Sequence, residues 1–137
     1  MTPRDAFKGI AQDLERRHEL HRGFFATLLK QNDWSFVIQC HSLIEAALGD
    51  ALTHRAHTQS LRALFDQLPT SDARTGKVAF AEAYGLLSKD QGHFVRFMST
   101  LRNSLVHRIS NVGFTFRDHM AVLEANPPRS YAAGSKA

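Results

Sequence analysis

Apolar residues recur at intervals of three and four along most of the chain, the spacing that places them on one face of an α-helix. The four prolines and eight glycines interrupt this pattern at few places, and no segment alternates apolar and polar residues as a strand does. The sequence therefore predicts an all-α fold, an antiparallel bundle of about four long helices plus short helices. The clearest stripe consists of Phe94, Phe97, Met98, Leu101, Leu105 and Ile109.

The predicted helices have recognisable starts and breaks. Thr2 is a suitable N-cap for the first helix, with Asp5 at the capping-box position, and Gly23 either kinks or divides this helix before Leu29. The second helix, from residue 34 to about 52, is apolar around so much of its circumference that we expect it near the centre of the bundle. The remaining stripes predict helices at residues 61–68, 78–87, 94–109 and 117–125.

A length of 137 residues suits one domain, which we place at residues 1–125, followed by a flexible tail at 126–137. The chain is 43% hydrophobic and 22% charged, as is typical of a soluble globular protein, and lacks a membrane-spanning apolar run. Its first twenty residues carry charges throughout and have no apolar signal core, so we expect a cytoplasmic protein without membrane contact. The single cysteine, Cys40, is expected to be a core residue of the second helix.

The net charge of +4 allows binding to a polyanion without identifying one. Twelve of the seventeen cationic residues are arginine, whose guanidinium binds phosphate through two parallel hydrogen bonds. The net charge therefore does not identify the binding partner. The positions of individual arginines in the sequence are more informative.

One arginine, Arg102, opens a motif at the end of the last long helix, where it is followed by Asn103 and, five residues after it, by His107. On a straight helix Arg102 and His107 would point about 140° apart, whereas Asn103 and His107 would share a face. A second copy of the helix beside this face would bring two arginines and two histidines into one cleft. The motif therefore favours a homodimer.

The motif resembles the Arg-polar-x-x-x-His signature of the HEPN superfamily, small helical-bundle proteins that include many RNases of toxin–antitoxin, anti-phage and RNA-processing systems. The segments HSLIEAALGDAL, GKVAFAEAYGLL, RNSLVH and GFTF also follow one another in an order similar to the mannitol operon repressor-like branch, over roughly residues 34–116. The resemblance implies a metal-independent endoribonuclease with a composite site at a dimer interface. It equally allows a helical regulatory or interaction protein without catalytic turnover.

In the catalytic interpretation His107 is the general base or acid for attack of a ribose 2′-OH on the adjacent phosphate. Arg102 orients the phosphate, and Asn103 positions His107 or the ribose. Glu45 lies in line with His41 on the second helix and is either a structural tie to Arg102 or His41 or a further member of the site. In the structural alternative, Arg102 pairs with a carboxylate of the second helix and His107 is a solvated residue at a helix end.

Four further residues are candidates for RNA binding. Arg96 and Arg108 flank the motif, and Phe114 and Phe116 follow it in a loop, where they either cover the end of the bundle or stack on bases. In the HEPN toxins paired with a nucleotidyltransferase antitoxin, a tyrosine lies two positions after the histidine. Here that position is Ile109, which argues against that antitoxin mechanism and leaves the antitoxin or regulatory partner open.

Metal and cofactor sites are not indicated. His18 and His21, and again His54 and His57, are spaced to share a helix face, but no cysteine or carboxylate cluster completes a zinc site. Glycine-rich phosphate loops are also missing from the sequence. We therefore expect a protein that needs no metal and no cofactor.

Overall fold

The computed structural model describes residues 2–72 and 74–127, and these form seven α-helices, two short 3₁₀ helices and no strand. The prediction of an all-α helical bundle is confirmed. The helices are α1 (Pro3–Arg17), α2 (Phe24–Lys30), α3 (Asp33–Ala56), α4 (Arg62–Gln67), α5 (Lys77–Ala83), α6 (Lys89–Leu105) and α7 (Phe116–Ala125). The 3₁₀ helices cover Gln59–Leu61 and Ile109–Gly113.

The chain divides into two compact units, of which the first covers residues 1–32 and contains α1 and α2. The predicted capping box of α1 is present, with the Thr2 side chain bonded to the Asp5 amide and the Asp5 carboxylate to the Thr2 amide. The predicted helix is divided: α1 ends at Arg17, Glu19 adopts a left-handed φ of 55°, and Gly23 adopts one of 84° directly before α2. Glu15 accepts hydrogen bonds of 3.0 Å from the amides of Gly23 and Phe25, which fixes the start of α2 against α1.

The second unit, from residue 33 onward, is built around α3. This helix packs against α4, α5, α6 and both 3₁₀ helices, so the expectation of a central position is confirmed. One core cluster surrounds the later turns of α3 and contains Leu48, Leu52, Phe65, Val78, Ala81 and Val95. A second cluster joins the first turns of α3 to the last turns of α6 and contains Val37, Met98, Leu101 and Leu105.

The last long helix is shorter than its apolar stripe predicts. α6 begins at a capping box formed by Ser88 and Gln91 and ends at Leu105, so Ile109 lies outside it and is 92% exposed. The expectation that Ile109 continues the buried stripe was wrong. The side chains of Trp34 and Asn111 donate hydrogen bonds to the carbonyl oxygens of Leu105 and Ser104 in the last turn. The helix therefore ends four residues before the last apolar residue of the predicted stripe.

The predicted C-terminal tail lies mostly outside the described residues, since the structure describes only residues 126 and 127 of it. Within the described part of the chain, no helix combines the length and apolarity required to cross a membrane.

Candidate functional site

The chain around His107 is held by two hydrogen bonds at the C-terminal end of α6. The indole Nε1 of Trp34 donates to the carbonyl oxygen of Leu105 over 3.2 Å, and Nδ2 of Asn111 donates to the carbonyl oxygen of Ser104 over 2.9 Å. One donor comes from the first turn of α3 and the other from the 3₁₀ helix that follows His107. The segment that carries the histidine is therefore anchored on both sides.

His107 is exposed and lies beyond the end of α6. Its side chain lines an open groove of about 330 Å³ together with Arg108 and Phe114. The other lining residues are Leu101, Ser104, Leu105, Asn111 and His119. The angle of about 140° between Arg102 and His107 was derived for a straight helix. It does not apply here, because His107 lies beyond the end of α6.

Arg102 and Asn103 lie in the last turns of α6 and contact each other. Nη1 of Arg102 donates to Oδ1 of Asn103 over 3.0 Å, while Nε of Arg102 is buried without a hydrogen-bond partner. Neither residue lines the groove beside His107. Asn103 therefore orients Arg102 rather than His107. Arg102 and His107 lie on two different surfaces, and only His107 faces the groove.

Glu45 lies beside the side chains of Lys77 and His41. Its Oε1 lies 3.6 Å from Nζ of Lys77 and its Oε2 lies 3.9 Å from Nδ1 of His41. Among the ion pairs of the described residues, none links Glu45 to Arg102. Of the two partners considered from the sequence, His41 is the one near the Glu45 carboxylate, without a hydrogen bond between them in the described structure. Sequence reasoning missed Lys77, whose side chain is only 4% exposed, since nothing in the local pattern marks a lysine at the start of α5 as buried.

His41 is buried, and among the described residues neither of its ring nitrogens has a hydrogen-bond partner. Burial lowers the pKa of His41, the charge of Glu45 opposes this, and the charges of Arg102 and Lys77 lower the pKa further. The charges of Glu45 and Arg102 thus act on His41 in opposite directions, and burial decides the outcome.

The four candidate RNA-binding residues occupy different environments. Nη1 of Arg96 donates to Oε1 of Glu82 over 2.9 Å, which engages its guanidinium within the bundle, whereas Arg108 is exposed in the groove. Phe114 and Phe116 pack against the second core cluster and meet edge to face at 5.4 Å. Both rings thus contribute to packing at this end of the bundle, and Phe114 also lines the groove beside His107.

His119 was not singled out from the sequence, because no spacing connects it with the motif. It lies on α7, lines the same groove as His107, and is half-buried. Its ring lies 5.7 Å from that of Phe114 and 6.3 Å from that of Phe97. The groove therefore contains two imidazoles and the guanidinium of Arg108, which has no ion-pair partner among the described residues.

The described residues include no group of three or more histidine, cysteine or carboxylate side chains that could hold a metal ion. Cys40 is half-buried beside the second core cluster, and burial raises the pKa of its thiol, so the thiol stays protonated at neutral pH. The chemistry available at the end of α6 is therefore proton transfer by imidazole and anion binding by guanidinium.

No family model, curated protein or solved structure matches the chain. A function for this site accordingly depends on the geometry of its own residues and on the resemblance of the segment from Arg102 to His107.

Proposed function

We propose that the chain is a metal-independent endoribonuclease of the HEPN type, with its site at the C-terminal end of α6. The observation that carries the proposal is the placement of His107, exposed in an open groove beside Arg108 and just beyond the helix that bears Arg102. The hydrogen bonds from Trp34 and Asn111 hold this segment in place, as a catalytic side chain requires.

The proposed reaction is attack of a ribose 2′-OH on the adjacent phosphate. His107 accepts or donates a proton in this step, because imidazole titrates near neutral pH. Arg108 binds the phosphate in the groove. Arg102, which lies outside the groove on α6, contributes its charge when a second copy of the chain joins the two surfaces. DNA has no 2′-OH and is not cleaved by this route.

A second copy of the chain completes the site in this proposal. Four apolar residues that directly adjoin groove-lining residues in the chain are 45% or more exposed: Val106, Ile109, Val112 and Met120. Val122, further along α7, is also exposed. Exposed apolar side chains concentrated in one region are typical of protein interfaces. Covering them with a second copy would bring the two motifs together, in agreement with the composite dimer site that the HEPN resemblance implies.

The same apolar surface favours a second candidate, a helical regulatory or interaction protein of the mannitol operon repressor-like kind without catalytic activity. In that case the surface receives a partner protein, and His107 and Arg108 belong to its polar rim. A toxin's antitoxin is one such partner.

The test is incubation of end-labelled RNA with the protein in the presence of EDTA. We expect wild-type protein to cleave RNA and not a DNA of the same sequence, and His107→Ala and Arg102→Ala to be slower by about 100-fold or more. His93→Ala is the matched control, since His93 is exposed on α6 and lies outside the groove. Absence of cleavage by the wild type, or equal rates in wild type and both variants, would contradict the enzyme and leave the interaction protein.

The dimer is tested separately, by sedimentation of the wild type and of Ile109→Lys. We expect a dimeric mass for the wild type and a monomeric mass for the variant, because a lysine at this position places a charge in the apolar interface. A monomeric wild type at concentrations where it cleaves RNA would show that one copy suffices.

A further inference from the structure

We infer that His119 is the second proton-transfer group of the site, acting on the opposite side of the phosphate from His107. The inference rests on the proposed ribonuclease function and adds a catalytic residue to it. It is carried by the groove itself, which two imidazoles from different elements line together, His107 from the segment after α6 and His119 from α7.

The chemistry of RNA cleavage without a metal requires two proton transfers. As the 2′-oxygen forms a bond to phosphorus, its proton passes to one imidazole, and as the bond from phosphorus to the 5′-oxygen breaks, that oxygen takes a proton from the other imidazole. The products are a 2′,3′-cyclic phosphate and a 5′-hydroxyl, and exchange with water restores both imidazoles. The entering and leaving oxygens lie on opposite sides of the phosphorus, so the two transfers call for two groups. The proposed dimer would add the His107 of a second copy, whereas His119 lines the same groove as His107 within one copy.

The lining of the groove suits this role. Its volume of about 330 Å³ lies within the range of small-molecule sites, about 300–1,000 Å³. Arg108 supplies a guanidinium for the phosphate, and Ser104 and Asn111 supply hydrogen-bonding groups at the wall. His119 is fixed by its ring contacts with Phe97 and Phe114, so its imidazole is held in place before a substrate enters.

The alternative role for His119 is purely structural, as one ring of an aromatic cluster. His119→Phe separates the two roles, because phenylalanine keeps an aromatic ring between Phe97 and Phe114 but transfers no proton. Circular dichroism and thermal unfolding of this variant establish that it folds as the wild type does.

The experiment compares two RNA substrates in EDTA, one unmodified and one whose 5′-bridging oxygen at the cleavage position is sulfur. A thiolate leaves without being protonated, so loss of the general acid no longer slows the reaction. We expect His107→Ala and His119→Phe each to cleave the unmodified RNA about 100-fold or more slowly. On the sulfur substrate we expect one of these variants, the one that lacks the acid, to regain most of the wild-type rate while the other remains slow.

The outcomes separate the two proposals. If the wild type cleaves and His107→Ala does not, but His119→Phe cleaves as the wild type does, the role of His119 is overturned and the ribonuclease remains. Loss of activity in both variants with no recovery of either on the sulfur substrate also overturns the proton-transfer pair. If the wild type fails to cleave RNA, the ribonuclease and the role of His119 fall together. His93→Phe is the matched control and is expected to cleave both substrates at the wild-type rate.

Discussion

Trp34 and Leu105 are 71 positions apart in the chain, yet the indole Nε1 of Trp34 donates a 3.2 Å hydrogen bond to the carbonyl oxygen of Leu105. This bond joins the first turn of α3 to the last residue of α6, two positions before His107. Because the final carbonyls of a helix have no partner within the helix, an external donor at this place determines where the helix ends. The position of His107 after α6 thus depends on Trp34 of α3.

Trp34→Phe should lower both the stability of the protein and the precision of the site. The variant keeps an aromatic ring but leaves the Leu105 carbonyl without its donor, so we expect a loss of about 1–2 kcal/mol in the free energy of unfolding. In urea titrations this appears as a lower midpoint with an unchanged slope. RNA cleavage, where measured, should fall in the same variant because His107 is less well held.

Asn111→Ala is the companion variant, since it removes the donor to the Ser104 carbonyl without changing the core. We expect a smaller loss of stability than in Trp34→Phe, because Asn111 lies closer to the surface. Equal stability of Trp34→Phe and the wild type would show that the indole bond does not hold the end of α6.

The end of α6 also illustrates how far the sequence predicts the fold. Apolar spacing identified the all-α class and the central position of α3, and the positions of Thr2 and Asp5 identified the capping box of α1, because each follows from local residue order. The same spacing extended α6 to Ile109, which the structure places in solvent. The helix ends through donors on Trp34 and Asn111, and contacts between distant segments have no signature in local periodicity.

The site shows a similar division. The motif and its neighbour Arg108 can be read from the sequence, since residue types at short spacing identify them. Lys77 and His119 cannot, because they reach the motif region on α5 and α7, through the packing of separate helices. Glu45 was expected to face inward but is half-exposed. Lys77 comes close to it because α5 packs against α3.

Glu45→Gln should destabilise the protein through the buried ammonium of Lys77. The Lys77 side chain is 4% exposed, and Glu45 is the carboxylate that faces it at 3.6 Å. Removing the carboxylate leaves the buried ammonium of Lys77 without a compensating charge, so we expect the free energy of unfolding to fall by about 1–3 kcal/mol. The effect is moderate because Glu45 is 40% exposed. Chemical denaturation at neutral pH measures this loss.

Lys77→Met provides the control for the pair. Methionine fills a similar volume without a charge, and replacing a buried ion-pair member by an apolar residue is often neutral or stabilising when its partner reaches solvent. We therefore expect the stability of Lys77→Met to equal or exceed that of the wild type, and Glu45→Gln to have little effect in the Lys77→Met background. Equal losses for Glu45→Gln in both backgrounds would contradict a role of Lys77.

Stability should fall as the pH drops below about 6.5, because of His41. Burial lowers the pKa of His41 in the folded protein, and Arg102 and Lys77 lower it further against the opposing charge of Glu45. An unfolded histidine has a pKa of about 6.5, so below this value the unfolded chain binds a proton that the folded protein does not. The free energy of unfolding therefore rises with pH from the lowered pKa of His41 up to about 6.5 and is then constant with respect to this group.

The measurement is urea denaturation at intervals between pH 5 and pH 8. Hydrogen bonds hold the pKa values of the carboxyls of Asp5, Glu15 and Asp72 below their ordinary values, so their contributions are lost only at more acidic pH. His41→Phe, which has a ring and no titrating group, should remove the slope between pH 5 and pH 6.5. An unchanged slope in this variant would assign the effect to another group.

Gly92→Ala should destabilise the protein although alanine favours helix formation. Gly92 lies on α6 where it faces α5, and a Cβ at this position would lie 1.9 Å from Oε1 of Glu82 and 3.2 Å from Cγ1 of Val78. Glu82 must then move away from Arg96, whose Nη1 it binds at 2.9 Å and whose Nε is buried without a partner. The loss of this pair outweighs the gain of about 1 kcal/mol in helix propensity.

Gly9→Ala is the matched substitution, since Gly9 lies in the middle of α1 and a Cβ there meets nothing within 4 Å. We expect it to increase stability by about 0.5–1 kcal/mol, as an unobstructed glycine-to-alanine change in a helix does. In a Glu82→Ala background the obstruction at Gly92 is gone, and Gly92→Ala should then be far less destabilising. Equal destabilisation by Gly92→Ala with and without the Glu82 side chain would show that the substitution does not destabilise the protein by separating Glu82 from Arg96.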